Sequence, residues 1–170
     1  MHKMSTIQNI QFSDAITLRI NEYISRYPQG KQKSALLPIL HLVQDEYGWL
    51  SPELMDKVAE ILGILSIEVY EVATFYSMYN LQPVGKYKLE FCRTSCCALR
   101  GAENLMDYTL AKLGIAMGET TADGMFTVTG VECLGACGYA PMMQVGDNNH
   151  HFLTREKIDD FIESRKNTAE

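Results

Sequence analysis

The residues of this 170-residue chain best equipped for chemistry are five cysteines in two short segments, Cys92-Arg93-Thr94-Ser95-Cys96-Cys97 and Cys133-Leu134-Gly135-Ala136-Cys137. Thiolates are soft ligands, suited to zinc, copper(I) and iron–sulfur centres. Read as C-x4-C and C-x3-C, the segments offer four of them, Cys92, Cys97, Cys133 and Cys137, and leave Cys96 over. A [2Fe–2S] cluster takes four thiolates and carries negative charge, so it favours loops whose backbone N–H groups point at the sulfurs. Gly101, Gly135 and Gly138 permit that close backbone approach, and Arg93, Thr94 and Ser95 add side-chain donors. Cys92-x3-Cys96 is also a plausible chelate loop, so spacing alone does not choose between Cys96 and Cys97.

Zinc is the first rival. Structural zinc sites use C-x2–4-C pairs, which C-x3-C fits and C-x4-C meets only at the long edge. Spacing leaves both metals open, and with zinc the chain would be a stapled binding module whose helical half does the work. A dithiol redox centre would want C-x-x-C ahead of a helix, which does not occur, and the vicinal Cys96-Cys97 is a poor substitute. Inert buried cysteines are common. Four of them gathered in two glycine-flanked loops point instead to a site.

The rest of the composition narrows the setting. The net charge is −6 with no Lys/Arg-rich block, which disfavours nucleic-acid binding through a basic patch. No apolar run approaches the ~20 residues that span a bilayer. Residues 1–12 lack the pattern of a signal or transit peptide, so a soluble protein in a reducing compartment is expected. Thiols stay reduced there, and an odd cysteine count reads as four ligands plus one rather than as disulfides. With 46% hydrophobic residues the chain has enough apolar material for a core without staples.

Two kinds of periodicity divide the chain. Ile16, Ile20, Tyr23, Ile24 and Tyr27 form one helical stripe, ended by Pro28 and Gly30. Leu36, Leu40, Val43 and Tyr47 form a second, closed by Gly48, with Pro38 either kinking it or starting its regular part. Ser51-Pro52 opens a third through Leu54, Val58, Ile61 and Leu62 to Gly63. Ser66 is expected to cap a fourth carrying Val69, Val72, Ala73, Tyr76 and Tyr79. After Pro83-Val84-Gly85 the period falls to two. Tyr87, Leu89 and Phe91 predict a strand, then a helix runs over 102–113, and Phe126 and Val128 predict a second strand. Met143 and Val145 suggest a third, turning through 146–149 into 151–153, and Thr154 caps a last helix with Ile158, Phe161 and Ile162 inside. Residues 166–170 form a polar tail expected to fray. The expected architecture is α+β, with a helical bundle over 1–84 and a cluster domain over 85–170. The cysteine segments follow its first two strands.

The stretches Phe91-Cys92-Arg93-Thr94-Ser95-Cys96-Cys97-Ala98-Leu99-Arg100-Gly101 and Val131-Glu132-Cys133-Leu134-Gly135-Ala136-Cys137-Gly138-Tyr139-Ala140-Pro141-Met142 closely resemble the thioredoxin-like [2Fe–2S] subunit family of respiratory complex I, the NADH-quinone oxidoreductase. The stretch from Leu36 to Leu50 and Val72-Ala73-Thr74-Phe75-Tyr76 are similar too, so the resemblance runs from about Ser13 to Phe161. It implies a helical bundle followed by a thioredoxin-like [2Fe–2S] ferredoxin domain, with one cluster on Cys92, Cys97, Cys133 and Cys137. It departs only at Cys96, where the family pattern needs no cysteine. It further implies electron exchange with the FMN of a flavoprotein partner among other peripheral-arm subunits, with FMN, NAD and quinone bound elsewhere in the assembly. The chain is then part of an enzyme without a complete active site, cytoplasmic and peripheral to the inner face of an energy-transducing membrane. The equivalent subunits of NAD-linked hydrogenases and formate dehydrogenases remain the alternative hosts.

Other candidates are weaker. No G-x-S-x-G elbow supports a hydrolase. His41 reads as a surface or satisfied histidine, and His150-His151 as a solvated pair. Glu68, Glu71, Asp159 and Asp160 read as solvated carboxylates. Phe75, Tyr76 and Tyr79 at helical spacing read as core with a share in a partner interface.

Overall fold

The computed structural model describes residues 10–166, which form two compact units divided between Pro83 and Val84. In the first unit Ser13 caps α1 (Asp14–Ser25), its Oγ accepting from the Ile16 N–H at 3.3 Å. A 3-10 turn, Gln32–Ala35, leads into α2 (Leu36–Tyr47). Pro38 therefore lies in the first helical turn, where no intrahelical hydrogen bond is lost, and of its two possible roles it takes the second, starting the helix. Gly48 ends α2 at φ 79°, donating its N–H to the Gln44 carbonyl at 2.7 Å. Ser51 caps α3 (Pro52–Leu62) by accepting from the Leu54 N–H.

At α4 (Ser66–Phe75) several expectations need correction. Ser66 is the first helical residue, not the cap. The carboxylate of Glu68 reaches back to accept from the Leu65 N–H at 2.9 Å and also meets Lys33 Nζ at 2.6 Å, so Glu68 is structural rather than merely solvated. The helix stops at Phe75, which takes Tyr79 off its face. Tyr79 is buried all the same, its hydroxyl donating to the Leu37 carbonyl at 3.0 Å, whereas Phe75 and Tyr76 are exposed. The core of this unit joins Ile20, Ile39, Leu40, Val43, Val58 and Val69 from all four helices.

In the second unit β1 (Tyr87–Cys92) and β2 (Phe126–Val131) pair in parallel. Parallel neighbours need a crossover, which α5 (Ser95–Leu99) and α6 (Ala102–Leu113) provide. β3 (Met143–Val145) lies antiparallel on the other side of β1 and β4 (Asn148–His150) lies beyond it, giving the order β2-β1-β3-β4. The expected alternation in β1 holds: Leu89 and Phe91 are buried, while Lys88 and Glu90 pair with each other at 2.7 Å. Met106 of α6 and Ile158 and Ile162 of α7 (Arg155–Lys166) complete the core. Thr154 caps α7, accepting from the Lys157 N–H at 3.3 Å. The tail expected to fray lies, beyond Lys166, outside the described residues.

Three details of this unit differ from expectation. The hairpin turn is only Gly146-Asp147, with Val145 opposite Asn148, so the last strand starts three residues earlier than 151–153. Gly146, at φ 56°, makes the two-residue turn accessible. Asp159 is no bystander either: Lys112 Nζ at 2.9 Å and the Tyr108 hydroxyl at 2.8 Å hold its carboxyl below the usual range and tie α6 to α7. Thr127, on the face of β2 expected to be polar, is buried. It accepts from the Gly85 N–H at 2.7 Å and shares a hydrogen bond with the Thr120 hydroxyl.

That contact makes Gly85 sensitive to substitution. A β-carbon there would sit 2.8 Å from the Phe126 carbonyl carbon and 2.9 Å from its nitrogen, so main-chain atoms of β2 would have to shift. Gly85→Ala is expected to cost about 1–3 kcal/mol of stability, as overpacking does. The reading is a lower denaturant midpoint at unchanged slope; an unchanged midpoint would show that the lead-in to β1 separates freely from β2.

Candidate metal centre

Parallel pairing is what brings the two cysteine segments together. The register sets Cys92, the last residue of β1, opposite Val131, the last residue of β2, so Cys133 follows just two residues beyond that partner. The Arg93 N–H extends the ladder to the Val131 carbonyl at 3.0 Å, and the Cys92 N–H donates to the Met142 carbonyl at 3.3 Å. The chain then turns into α5, whose five residues point Cys97 inward and Cys96 outward. Cys92 and Cys97 are each 2% exposed, packed with Ala102, Ala140 and Met142, while Cys133 and Cys137 are exposed.

Cys92 and Cys97 act on one another, as do Cys133 and Cys137, with Cys96 acting on Cys137 as well; in each of the two pairs one thiol is more acidic and the other less. Burial raises Cys92, but the Thr94 hydroxyl, the N–H groups of Thr94 and Leu134, and the Cys97 thiol together bring it below its usual value. Cys97 is pushed up by burial and by Cys92, against an opposing N–H from Met142. Cys133 is lowered first by the Gly135 N–H, 3.4 Å from its sulfur, then by the Thr94 hydroxyl and Cys137. Cys137 is pushed up to about 11 by the Cys96 thiol and then by Cys133. Thr94 thus links the pairs, its hydroxyl 3.3 Å from Cys92 Sγ and also bonded to Cys133.

All four sequence-predicted ligand candidates therefore meet at one place, with Cys96 beside Cys137 at its exposed edge. Of the glycines named for close approach, Gly135 fills that role at φ 74°. Gly101, at φ 84°, instead turns the chain between α5 and α6, its N–H donated to the Ala98 carbonyl. Two supporting features were not legible beforehand. One is the placement of Thr94 between the pairs. The other is the Arg93 stem lying over Gly130, where a β-carbon would fall 2.7 Å from Arg93 Nε; a glycine inside a strand is the signal for such an approach.

The three described histidines lie elsewhere. His41 lies tilted against Tyr79 with ring centroids 5.0 Å apart, His150 meets Phe161 edge-on at 4.9 Å and His151 stacks on Tyr139 at 4.7 Å, so the expected solvated pair is in fact packed against aromatic rings. Among the described residues no three or more His, Cys, Asp or Glu side chains gather as a single-ion site. Two thiol pairs, surrounded by N–H and hydroxyl donors, fit the donor set of a binuclear iron–sulfur cluster, which takes two thiolates per iron. Among the described residues no helix is long and apolar enough to cross a membrane.

Known proteins share this arrangement of sequence and fold. The family model for thioredoxin-like [2Fe–2S] ferredoxins matches residues 20–166. The E 2 subunit of NADH-quinone oxidoreductase from Rhizobium meliloti is 44% identical over 140 residues, 82% of each chain. The E subunit of the Rickettsia conorii enzyme is 41% identical over 162 residues, 95% of this chain and 97% of that one. Subunit 2 of the Thermus thermophilus enzyme is 43% identical, covering 82% and 78%. Among solved structures, an NAD+-reducing [NiFe]-hydrogenase chain superposes with a TM-score of 0.70 at 22% identity, over 78% of this chain and 23% of its own length. That likeness, at such identity, is one of fold.

Proposed function

The chain belongs to the thioredoxin-like [2Fe–2S] ferredoxin family, and from that membership we propose that it is the electron-transferring E subunit of an NADH-quinone oxidoreductase, holding one cluster on Cys92, Cys97, Cys133 and Cys137. The observation that carries the reading is the convergence of four thiols in two pairs at the ends of two parallel strands. When bound, the cluster supplies one-electron transfer. The protein's part is to hold negative charge on sulfur: N–H groups of Leu134, Gly135 and Met142 and the Thr94 hydroxyl already point at sulfurs of the site. Such bonds raise a cluster's reduction potential. Cys92 and Cys97 form the dry side, so the exposed Cys133–Cys137 edge is the side a redox partner can approach.

The partner is a flavoprotein that binds FMN and NAD, within an assembly on the cytoplasmic face of an energy-transducing membrane. The chain is an enzyme only as part of that assembly. The helical unit is its docking element, with Phe75, 79% exposed, and Tyr76 as aromatic anchors of the kind that dominate interfaces; Tyr79 belongs to the core. Relatives named as subunits of NADH-quinone oxidoreductase match at 41–44% over most of both chains, which favours that host over a hydrogenase or formate dehydrogenase. Purifying the chain from its own cells under mild conditions tests the assignment. The flavoprotein and quinone-linked subunits should accompany it, with NADH-dependent quinone reduction. Recovery with a hydrogenase or formate dehydrogenase instead would transfer the chain to that host.

A further inference from the structure

The fifth cysteine is left unused by the four-thiolate reading, yet it does not sit apart from the site. Cys96 and Cys137 are both exposed and line the same cleft of about 280 Å³, together with Leu99, Arg100, Gly138 and Ala140. Within that cleft the Cys96 thiol is the neighbour that acts most strongly on Cys137. Cys133 also borders Cys137, but both it and Cys97 have further holds of their own. Cys133 is held by the Gly135 N–H and by Thr94, and Cys97 is turned into the buried cluster of Cys92, Ala102, Ala140 and Met142.

We propose that, in the cluster-free chain, Cys96 and Cys137 form a reversible disulfide that withdraws one thiolate from the metal site. The oxidant is a low-molecular-weight disulfide such as glutathione disulfide. The Cys96 sulfur attacks one sulfur of the oxidant and releases a first glutathione. The Cys137 sulfur then attacks the Cys96 sulfur of the mixed disulfide and releases a second. One S–S bond breaks and one forms, two electrons pass from the protein to the oxidant, and the two thiol protons end on two glutathione thiols. Both sulfurs reach solvent, so the small oxidant and a later reductant have access. The consequence for metal uptake rests on the reading of Cys137 as a ligand: the bridged chain cannot offer its fourth thiolate, and reduction restores it. Cys96 would then serve as a guard that keeps an exposed ligand from irreversible oxidation before the cluster arrives.

The test uses the full chain freed of metal, reduced, cleared of reductant and exposed to glutathione disulfide. Mass-spectrometric mapping without reduction should find Cys96 joined to Cys137 as the main bridge, absent from Cys96→Ser and retained in Cys97→Ser. Cluster uptake from iron and sulfide should be lost in the bridged chain and return on adding a dithiol. A main bridge of Cys92 to Cys97 or Cys133 to Cys137, or glutathione adducts without any Cys96–Cys137 link, overturns the proposal. The ligand reading is checked separately, by cluster uptake of the reduced chain against its reduced Cys137→Ser variant.

Discussion

Cys97→Ser is expected to remove the native visible and EPR spectra of the loaded protein, while Cys96→Ser leaves both as they are. The two positions are adjacent, but α5 sends them in opposite directions. Cys97 is 2% exposed and bonded to the Cys92 thiol, whereas Cys96 is exposed at the outer edge beside Cys137. A serine at 97 leaves a harder, far less acidic oxygen where a soft thiolate is needed. With Cys97 gone, the neighbouring Cys96 sulfur has a short path into the vacancy, so a residual spectrum in Cys97→Ser should be altered in shape and vanish when both are serine. Loss of the spectrum in Cys96→Ser together with an unchanged spectrum in Cys97→Ser would move the ligand by one position.

Separating the two units should have an equally large effect on one readout and none on another. A chain beginning at Val84 keeps Gly85 and its bond to Thr127, the sheet and its own core, and all five cysteines. It should fold and take up the cluster with the parent spectra. On the proposal that the helical unit is the docking element, with Phe75 and Tyr76 as its anchors, it should also fail to co-purify with the flavoprotein. A colourless product that iron and sulfide do not rescue would show the cluster unit to depend on the helices. Undiminished co-purification would put the interface on the cluster unit.

Much of this site was readable from residues alone because its chemistry is concentrated in one residue type at fixed spacing. The helices were readable for a different reason: Ile16 and Ile20, Leu40 and Val43, or Ile158 and Ile162 repeat at the helical period on faces that are buried. Where local pattern and tertiary packing part company, the reading was incomplete. α5 spans five residues and has no room to show a period. β4, Asn148–His150, is polar, and pairing behind a tight glycine turn makes it a strand, not apolar alternation. Tyr79 keeps the helical spacing of α4 although the helix ends at Phe75; its burial comes with a hydrogen bond to a residue 42 positions away. The bridging place of Thr94 depends on two strand ends lying side by side, which no stretch of sequence displays by itself.

The central claim is that these four thiols hold a [2Fe–2S] cluster, and measuring metal and labile sulfide in the purified full chain, joined to EPR after reduction, tests it most directly. The expected result is a red-brown protein with two irons and two labile sulfides per chain and the signal of a reduced binuclear cluster on four cysteines. A colourless, EPR-silent protein carrying one zinc per chain on the same cysteines would contradict it.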